Sequence, residues 1–338
     1  MIIDLVVNHT SNEHPWFQEA RRDPNSKYRD WYIWSKKRPK GSNTGMVFPG
    51  VQKTTWTRDP VAKDWYFHRF YDFQPDLNTS NPAVQAEILK IMGFWIQLGV
   101  SGFRMDAVPF VIGTKGADVS KPREQYDMLR TLREFLQWRV GDSIILAEAN
   151  VLPQTDMQYF GDAGDRMHMM FNFQVNQNLS YALATADTRP LTRAMQKTKE
   201  RPASGQWGIF LRNHDELDLG RLTKKQRQRV FSAFGPNPED QLYDRGIRRR
   251  LAPMLGGDRR RLELAYSLMF ALPGTPVLRY GDEIGMGDNP AISGGPYGFE
   301  HVNAAEQRRN INSMLNWTER IIRMARKFRR SAGAISRS

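Results

Sequence analysis

The stretch Gly102-Phe103-Arg104-Met105-Asp106-Ala107-Val108 follows an apolar run from Trp95 to Val100 and sets an Arg and an Asp two residues apart. On a strand, residues two apart share a face, so Arg104 and Asp106 point the same way. A guanidinium beside a carboxylate favours the charged form of the acid, which suits it to act as a nucleophile. The same spacing also makes ordinary structural ion pairs, so the other strand ends must be read with it.

Upstream, Ile2 to Val7 is a largely apolar run without alternation, the pattern of a parallel strand covered on both faces, and it ends in Asn8-His9-Thr10-Ser11. After Asn81-Pro82, helical periodicity runs from Ala83 to Gln97 and Gly99 closes it. Downstream, residues 109–122 read as a Gly- and Lys-containing loop, Arg123 to Val140 as a helix, and Ser143 to Ala149 as a buried strand carrying Glu148. Met167 to Phe173 is a weaker strand, followed by a helical region from Val175 to Lys199. Trp207 to Leu211 is a strand ending in Arg212-Asn213-His214-Asp215-Glu216, and a polar excursion then extends to Gly257. Leu262 to Leu272 reads as a buried helix, Pro276 to Tyr280 as a strand, and Ser313 to Phe328 as a late helix. This alternation predicts an α/β fold with a parallel sheet of about six strand–helix units. His9, Asp106, Glu148 and Asp215 fall at the C-terminal ends of strands, where a (β/α) barrel keeps its active site.

Residues 10–78 differ in texture, being rich in Trp, Tyr, Arg, Lys, Pro and Gly without a long periodic segment. They are too long for a simple loop and predict an inserted lid subdomain, B. Trp16, Trp31, Trp34, Trp56 and Trp65 are available to stack on sugars, with most expected to form the small core of the insert.

The absence of Cys excludes disulfides, zinc thiolate sites and thiol catalysis. No apolar run is long enough to span a bilayer, and the first residues lack the basic start of a signal peptide, so no membrane partner and a cytoplasmic location are expected. The net charge of +13 raises a nucleic-acid hypothesis. Its clusters, Arg245–Arg250, Arg259–Arg261 and Arg320–Arg330, come without a nucleic-acid module, so solvated helix faces and a basic tail are the preferred reading and no nucleic-acid partner is expected.

Apolar strands ending in titratable groups are hard to explain by packing, because converging carboxylates repel unless paired. Such repulsion makes a general acid from one carboxyl beside an ionised one, and two such groups are the minimal equipment of retaining glycoside cleavage.

Asp4-Leu5-Val6-Val7-Asn8-His9, Gly102-Phe103-Arg104-Met105-Asp106, Leu146-Ala147-Glu148-Ala149 and Asn213-His214-Asp215 resemble, in order and spacing, the four signature regions of the α-amylase superfamily. Gln74-Pro75-Asp76-Leu77-Asn78 is similar to a further motif of its α-glucosidase and glucosyltransferase branch. Within that branch, Leu211–Leu217, Gly246–Pro253 and Leu272–Leu278 resemble the trehalose-synthase family. The resemblance implies a (β/α)8 TIM barrel with Asp106 as nucleophile, Glu148 as general acid and base, and Asp215 holding the sugar hydroxyls beside the reacting carbon. Arg104, His9 and His214 would bind substrate, a small α-glucoside such as maltose or trehalose. Asn8 and Asp76 match positions associated with calcium in relatives, although Pro109–Gly113 lacks the carboxylate expected after the nucleophile. No cofactor is required, and a structural calcium ion is the one metal the resemblance implies.

Two strand–helix units that precede the Asp4 strand in the superfamily are absent, as is the β-sandwich that follows the barrel. The expected architecture is therefore an incomplete barrel, truncated at both ends, with residues 1–9 and 79–328 as barrel, 10–78 as subdomain B and 329–338 as a disordered basic tail. Missing strands would leave two open sheet edges. The expected function is a retaining α-glucosyl enzyme that isomerises maltose to trehalose. The alternatives are an α-glucosidase or α-amylase-type hydrolase and an inactive carbohydrate-binding chain.

Overall fold

The computed structural model describes residues 1–117, 122–288 and 295–335. By contacts the chain divides into two units, Met1–Phe171 with Glu200–Gln206, and Asn172–Lys199 with Trp207–Ser338.

The first unit contains β1 (Ile2–Leu5), α1 (Pro15–Arg22), β2 (Trp34–Ser35), β3 (Trp56–Arg58), β4 (Trp65–Phe67), α2 (Pro82–Gln97), β5 (Gly102–Met105), α3 (Val108–Ile112), α4 (Tyr126–Gln137), β6 (Ile144–Ala147), α5 (Pro153–Phe160) and β7 (Met169–Phe171). β1, β5, β6 and β7 pair in parallel in that order. Their inner positions are closed off from water: Phe103, Met105, Ile145, Ala147 and Met170 are fully buried. α2 begins where the sequence signals it, with the Asn81 side chain accepting from the Ala83 N–H and Pro82 at the first helical position. α4 buries Met128, Leu129, Leu132 and Leu136 along one stripe, each large side chain stabilising by about 1.5–3 kcal/mol. At the outer edge, β1 exposes Ile2 and Val6 follows it into solvent.

Within residues 10–78, α1 accompanies a small antiparallel sheet of order β2-β4-β3. Ile33, Trp56 and Phe67 form its buried cluster with Trp65 against it. Trp16 meets Trp31 edge-on at 4.7 Å, and Trp34 stacks on Phe17 at 5.4 Å.

The second unit contains α6 (Phe173–Thr185), α7 (Arg189–Lys197), β8 (Gln206–Phe210), β9 (Leu217–Asp218), α8 (Lys224–Phe234), β10 (Gln241–Leu242), β11 (Gly246–Ile247), α9 (Leu251–Met254), α10 (Arg259–Ala271), β12 (Thr275–Val277), α11 (Ala304–Arg309) and α12 (Met314–Ile335). β8 and β12 pair in parallel, while β10, β11 and β9 make a short antiparallel sheet.

Several expectations are corrected. The loop expected from residue 109 begins as helix α3, because Ala107 adopts a left-handed turn and Pro109 stands in the first helical turn. The polar excursion holds α8, started by a capping box between Thr223 and Gln226. The tail expected to be disordered from 329 stays helical to Ile335, since the Arg- and Ala-rich run contains no proline to stop it; residues 336–338 lie outside the described residues. The Arg245–Arg250 cluster is not a solvated face: Arg245 pairs with Asp218, Arg249 with Asp240 and Arg250 with Asp282. Among the described residues, no helix is long and apolar enough to cross a membrane.

Two tests follow from the packing of the first unit. Gly102 faces Ile144 across the β5–β6 ladder, and a Cβ there would lie 2.3 Å from the Ile144 carbonyl oxygen. Gly102→Ala is expected to force the strands apart and lower stability by about 1–3 kcal/mol, read as a lower urea midpoint. His168 Nδ1 accepts the Ile145 N–H at 3.1 Å, and burial, with a smaller push from Arg133, lowers its pKa to about 4. The unfolded chain takes up a proton below about pH 6.5 that the folded chain refuses until about 4, so stability falls as pH drops through that window. The loss approaches about 3 kcal/mol and should be absent from His168→Asn, which keeps an acceptor without the titration, in urea series from pH 7 to 4.5.

Candidate active site

Arg104 and Asp106 share a face of β5 and its continuation, and Arg104 Nη1 meets Asp106 Oδ1 at 2.8 Å. The β5–β6 register pairs Arg104 with Leu146, so Glu148, two residues further on, stands level with Asp106. Glu148 Oε2 lies in direct contact with Arg104 Nη2. Nη1 also reaches Asp4 Oδ1 on β1 at 3.2 Å, since Asp4 is the β1 partner of Arg104. One guanidinium fork therefore faces three carboxylates, of which Asp4 is more than half exposed. Asp4 opens the motif that carries His9, and only the strand pairing shows that it faces the Arg104 guanidinium.

The backbone locks the two central carboxylates. Asp106 N–H donates to Leu5 O at 3.2 Å, Val108 N–H to Glu148 O at 3.1 Å, and Glu148 N–H to Met105 O at 2.9 Å. Ala107 sits between them at φ 49°, a left-handed conformation that turns the chain into α3.

His9 lies beyond the end of β1, its Nε2 3.2 Å from the Gln74 side-chain amide and its ring edge-on to Phe70. Burial pulls its pKa below the ordinary value against the opposing pull of Asp76 and Asp106, so the ring is neutral at neutral pH. A cavity of about 450 Å³ opens beside it, lined by Val6, Thr10, Trp16, Phe73, Gln74 and Ile88 among others. Its walls are largely apolar and include none of Arg104, Asp106 or Glu148, so it is not assigned to the reacting sugar.

Asn8 and Asp76 are fully buried and joined by a bond from Asn8 Nδ2 to Asp76 Oδ2 of 3.1 Å. The space their oxygens face holds the Lys115 ammonium, 2.8 Å from Asn8 Oδ1 and 2.9 Å from Asp76 Oδ2. As folded, this donor set does not fit calcium. Lys115 falls in the stretch that the sequence reads as a Gly- and Lys-containing loop, and the lack of a carboxylate in Pro109–Gly113 is the signal that points to it.

In the second unit, Asp215 and His214 follow β8, with His214 Nε2 3.3 Å from Asp215 Oδ2 and both side chains about half exposed. Arg212 is anchored by its Nε donating to Arg249 O at 2.9 Å. Burial raises the pKa of Glu216, and Asp218 and Asp215 add to that shift. The structure thus brings Arg104, Asp106 and Glu148 together in the first unit, with His9 beyond the neighbouring strand, and sets His214 with Asp215 in the second.

Parallel strands whose C-terminal ends carry a carboxylate pair bridged by one guanidinium define a (β/α) fold with its charged groups gathered at the strand ends. The chain belongs to the α-amylase family: residues 1–234 match the family described as alpha amylase, catalytic domain. It is 41% identical over 356 residues to trehalose synthase of Thermus thermophilus, covering 95% of this chain and 37% of that protein. It is 38% identical over 363 residues to trehalose synthase/amylase TreS of Mycobacterium tuberculosis, covering 97% of this chain and 60% of that one. The solved α-amylase from H. orenii superposes with a TM-score of 0.73 at 24% identity, over 96% of this chain and 62% of that chain, which shows the fold to be part of a TIM barrel. The chain spans from 37% to 60% of the length of these two curated relatives.

Arg104→Lys offers a direct test of the bridge. An ammonium is a point charge and cannot hold two carboxylates in a planar fork. The variant is expected to fold with unchanged circular dichroism and to lose about 10²-fold in kcat/KM on an activated α-glucoside, because the carboxylates lose their mutual placement.

Proposed function

We propose that the chain is a retaining α-glucosyl enzyme that converts maltose to trehalose by double displacement. The observation that carries this reading is the shared fork: Asp106 and Glu148 both bind Arg104, through Nη1 and Nη2. Two carboxyl groups on one guanidinium favour the close spacing of retaining enzymes, about 5–5.5 Å, over the wider spacing that an inverting enzyme leaves for water.

In this reading Asp106 attacks the anomeric carbon, a C–O bond to Asp106 forms, and the glycosidic C–O bond breaks. Glu148, carrying a proton and turned from Arg104 toward the leaving oxygen, gives that proton to the departing glucose. The glucose then returns through its anomeric hydroxyl, Glu148 takes the hydroxyl proton, and the bond to Asp106 breaks. If the glucose leaves and water attacks the glucosyl carbon in its place, giving its proton to Glu148 as the bond to Asp106 breaks, the outcome is hydrolysis, so retention of the leaving sugar separates the two reactions. The neutral His9 ring supplies a hydrogen-bonding group for the glucosyl unit. The relatives named trehalose synthase support trehalose as the product.

The test is incubation of the chain with maltose, following trehalose and glucose by NMR. Trehalose as the main product, falling at least about 10³-fold in Asp106→Asn, is the expected outcome. Glucose alone would reassign the chain to hydrolysis, and no product from folded protein would overturn the enzymatic reading.

A further inference from the structure

The site around Lys115 contains neither of the carboxylates that exchange bonds in the proposed reaction. Its ammonium has four oxygens near it: Asn8 Oδ1 at 2.8 Å, Asp76 Oδ2 at 2.9 Å, Leu77 O at 3.0 Å and Asn8 O at 3.3 Å. The Lys115 side chain is 4% exposed and that of Asp76 is 0% exposed. An ammonium shut away from water is expensive unless a carboxylate and other acceptors surround it, and this one has both. The anion is itself saturated, since Asp76 Oδ1 accepts the Arg69 N–H at 2.7 Å and Oδ2 accepts from Asn8 Nδ2.

These distances match N–H···O bonds and exceed the 2.3–2.6 Å at which calcium holds oxygen. Calcium also takes six to eight oxygens, commonly with several carboxylates. Here one carboxylate is present, Pro109–Gly113 adds none, and among the described residues no group of three or more His, Asp or Glu is placed to hold a metal ion. The three segments meeting on the ammonium are the end of β1, the 76–77 stretch that closes the insert, and the chain between α3 and α4. A divalent ion placed there would link the same three.

We propose that Lys115 is a resident cation that takes the place of calcium between Asn8 and Asp76, so that this unit folds and holds His9 in position without a divalent ion. Asn8 is the residue before His9, and Gln74, which hydrogen-bonds the His9 ring, is two residues before Asp76. Lys115 is therefore a positioning residue: it touches neither Asp106 nor Glu148 in the contacts described above and acts through the backbone that carries His9.

The test begins with the full chain as purified: metal content by plasma mass spectrometry, and thermal unfolding in EGTA and in millimolar CaCl2. The expected result is far less than one calcium per chain and the same Tm in both buffers. Stoichiometric calcium, or a Tm that falls in EGTA, would overturn the proposal whether or not any variant folds. Lys115→Ala in EGTA is expected to lose roughly 5–10 °C in Tm, because Asp76 is left buried without its counter-charge. Millimolar CaCl2 should then restore part of that loss. Unchanged stability of Lys115→Ala in EGTA, or a destabilised variant indifferent to calcium, would show the ammonium to be something other than a stand-in for the metal.

Discussion

Three carboxylates on adjacent parallel strands would repel one another into solvent without a cation among them, and the Arg104 fork is what allows Asp4, Asp106 and Glu148 to share one end of the sheet. The fork can do this only because the register is fixed. Asp4 pairs with Arg104 and Arg104 with Leu146, so the residues two beyond the latter pair, Asp106 and Glu148, stand level on the same face. A slip of one residue on either strand would turn one acid to the opposite face and leave the guanidinium half paired. Register is held in turn by close contact at the other end of β5, where Gly102 admits the Ile144 carbonyl, and by the apolar side chains buried along the ladder.

The first unit thus contains two buried or half-buried anionic centres, each with its own cation of a different kind. Arg104 is planar and divides two nitrogens between two acids that must stay apart but close. Lys115 is a compact charge at the focus of four oxygens that must be drawn together. Exchange of the two side chains would fail at both places, since a fork cannot centre itself among converging oxygens and a point charge cannot bridge diverging ones. Burial, the larger effect, pulls the Lys115 pKa down against the opposing pull of Asp76, so the site depends on its carboxylate partner and not on solvent.

Much of this was legible in sequence because strand ends announce themselves. A continuous apolar run breaking into a polar, titratable residue marks the C-terminal end of a buried parallel strand, and β1, β5, β6 and β8 all show it. That signal singles out Asp106, Glu148 and Asp215, and the structure sets each beyond the end of a parallel strand. What was missed has no periodic signature. α3 depends on a left-handed residue that is alanine, not the glycine a reader would look for. The Arg245–Arg250 run looked like a surface patch, yet its acids, Asp218, Asp240 and Asp282, lie on other elements and only the fold brings them near. Lys115 was hidden for the same reason, its acceptors lying 107 residues upstream at Asn8 and 38 upstream at Leu77.

Ala107 shows how far the site dictates local backbone. A left-handed residue with a Cβ costs about 1 kcal/mol or more relative to its right-handed form, and nothing in the helix that follows requires it. The cost is met by what the turn achieves. Reversing the chain directly after Asp106 presents the Val108 N–H to the Glu148 carbonyl and starts α3 at once, so the backbone after Asp106 is tied to the backbone of Glu148. A relaxed turn would carry the chain onward past the end of β6 and leave that carbonyl open. The carboxylates are thus held twice, by Arg104 through their side chains and by the Ala107 turn through their main chains, and the strain is confined to the residue between them.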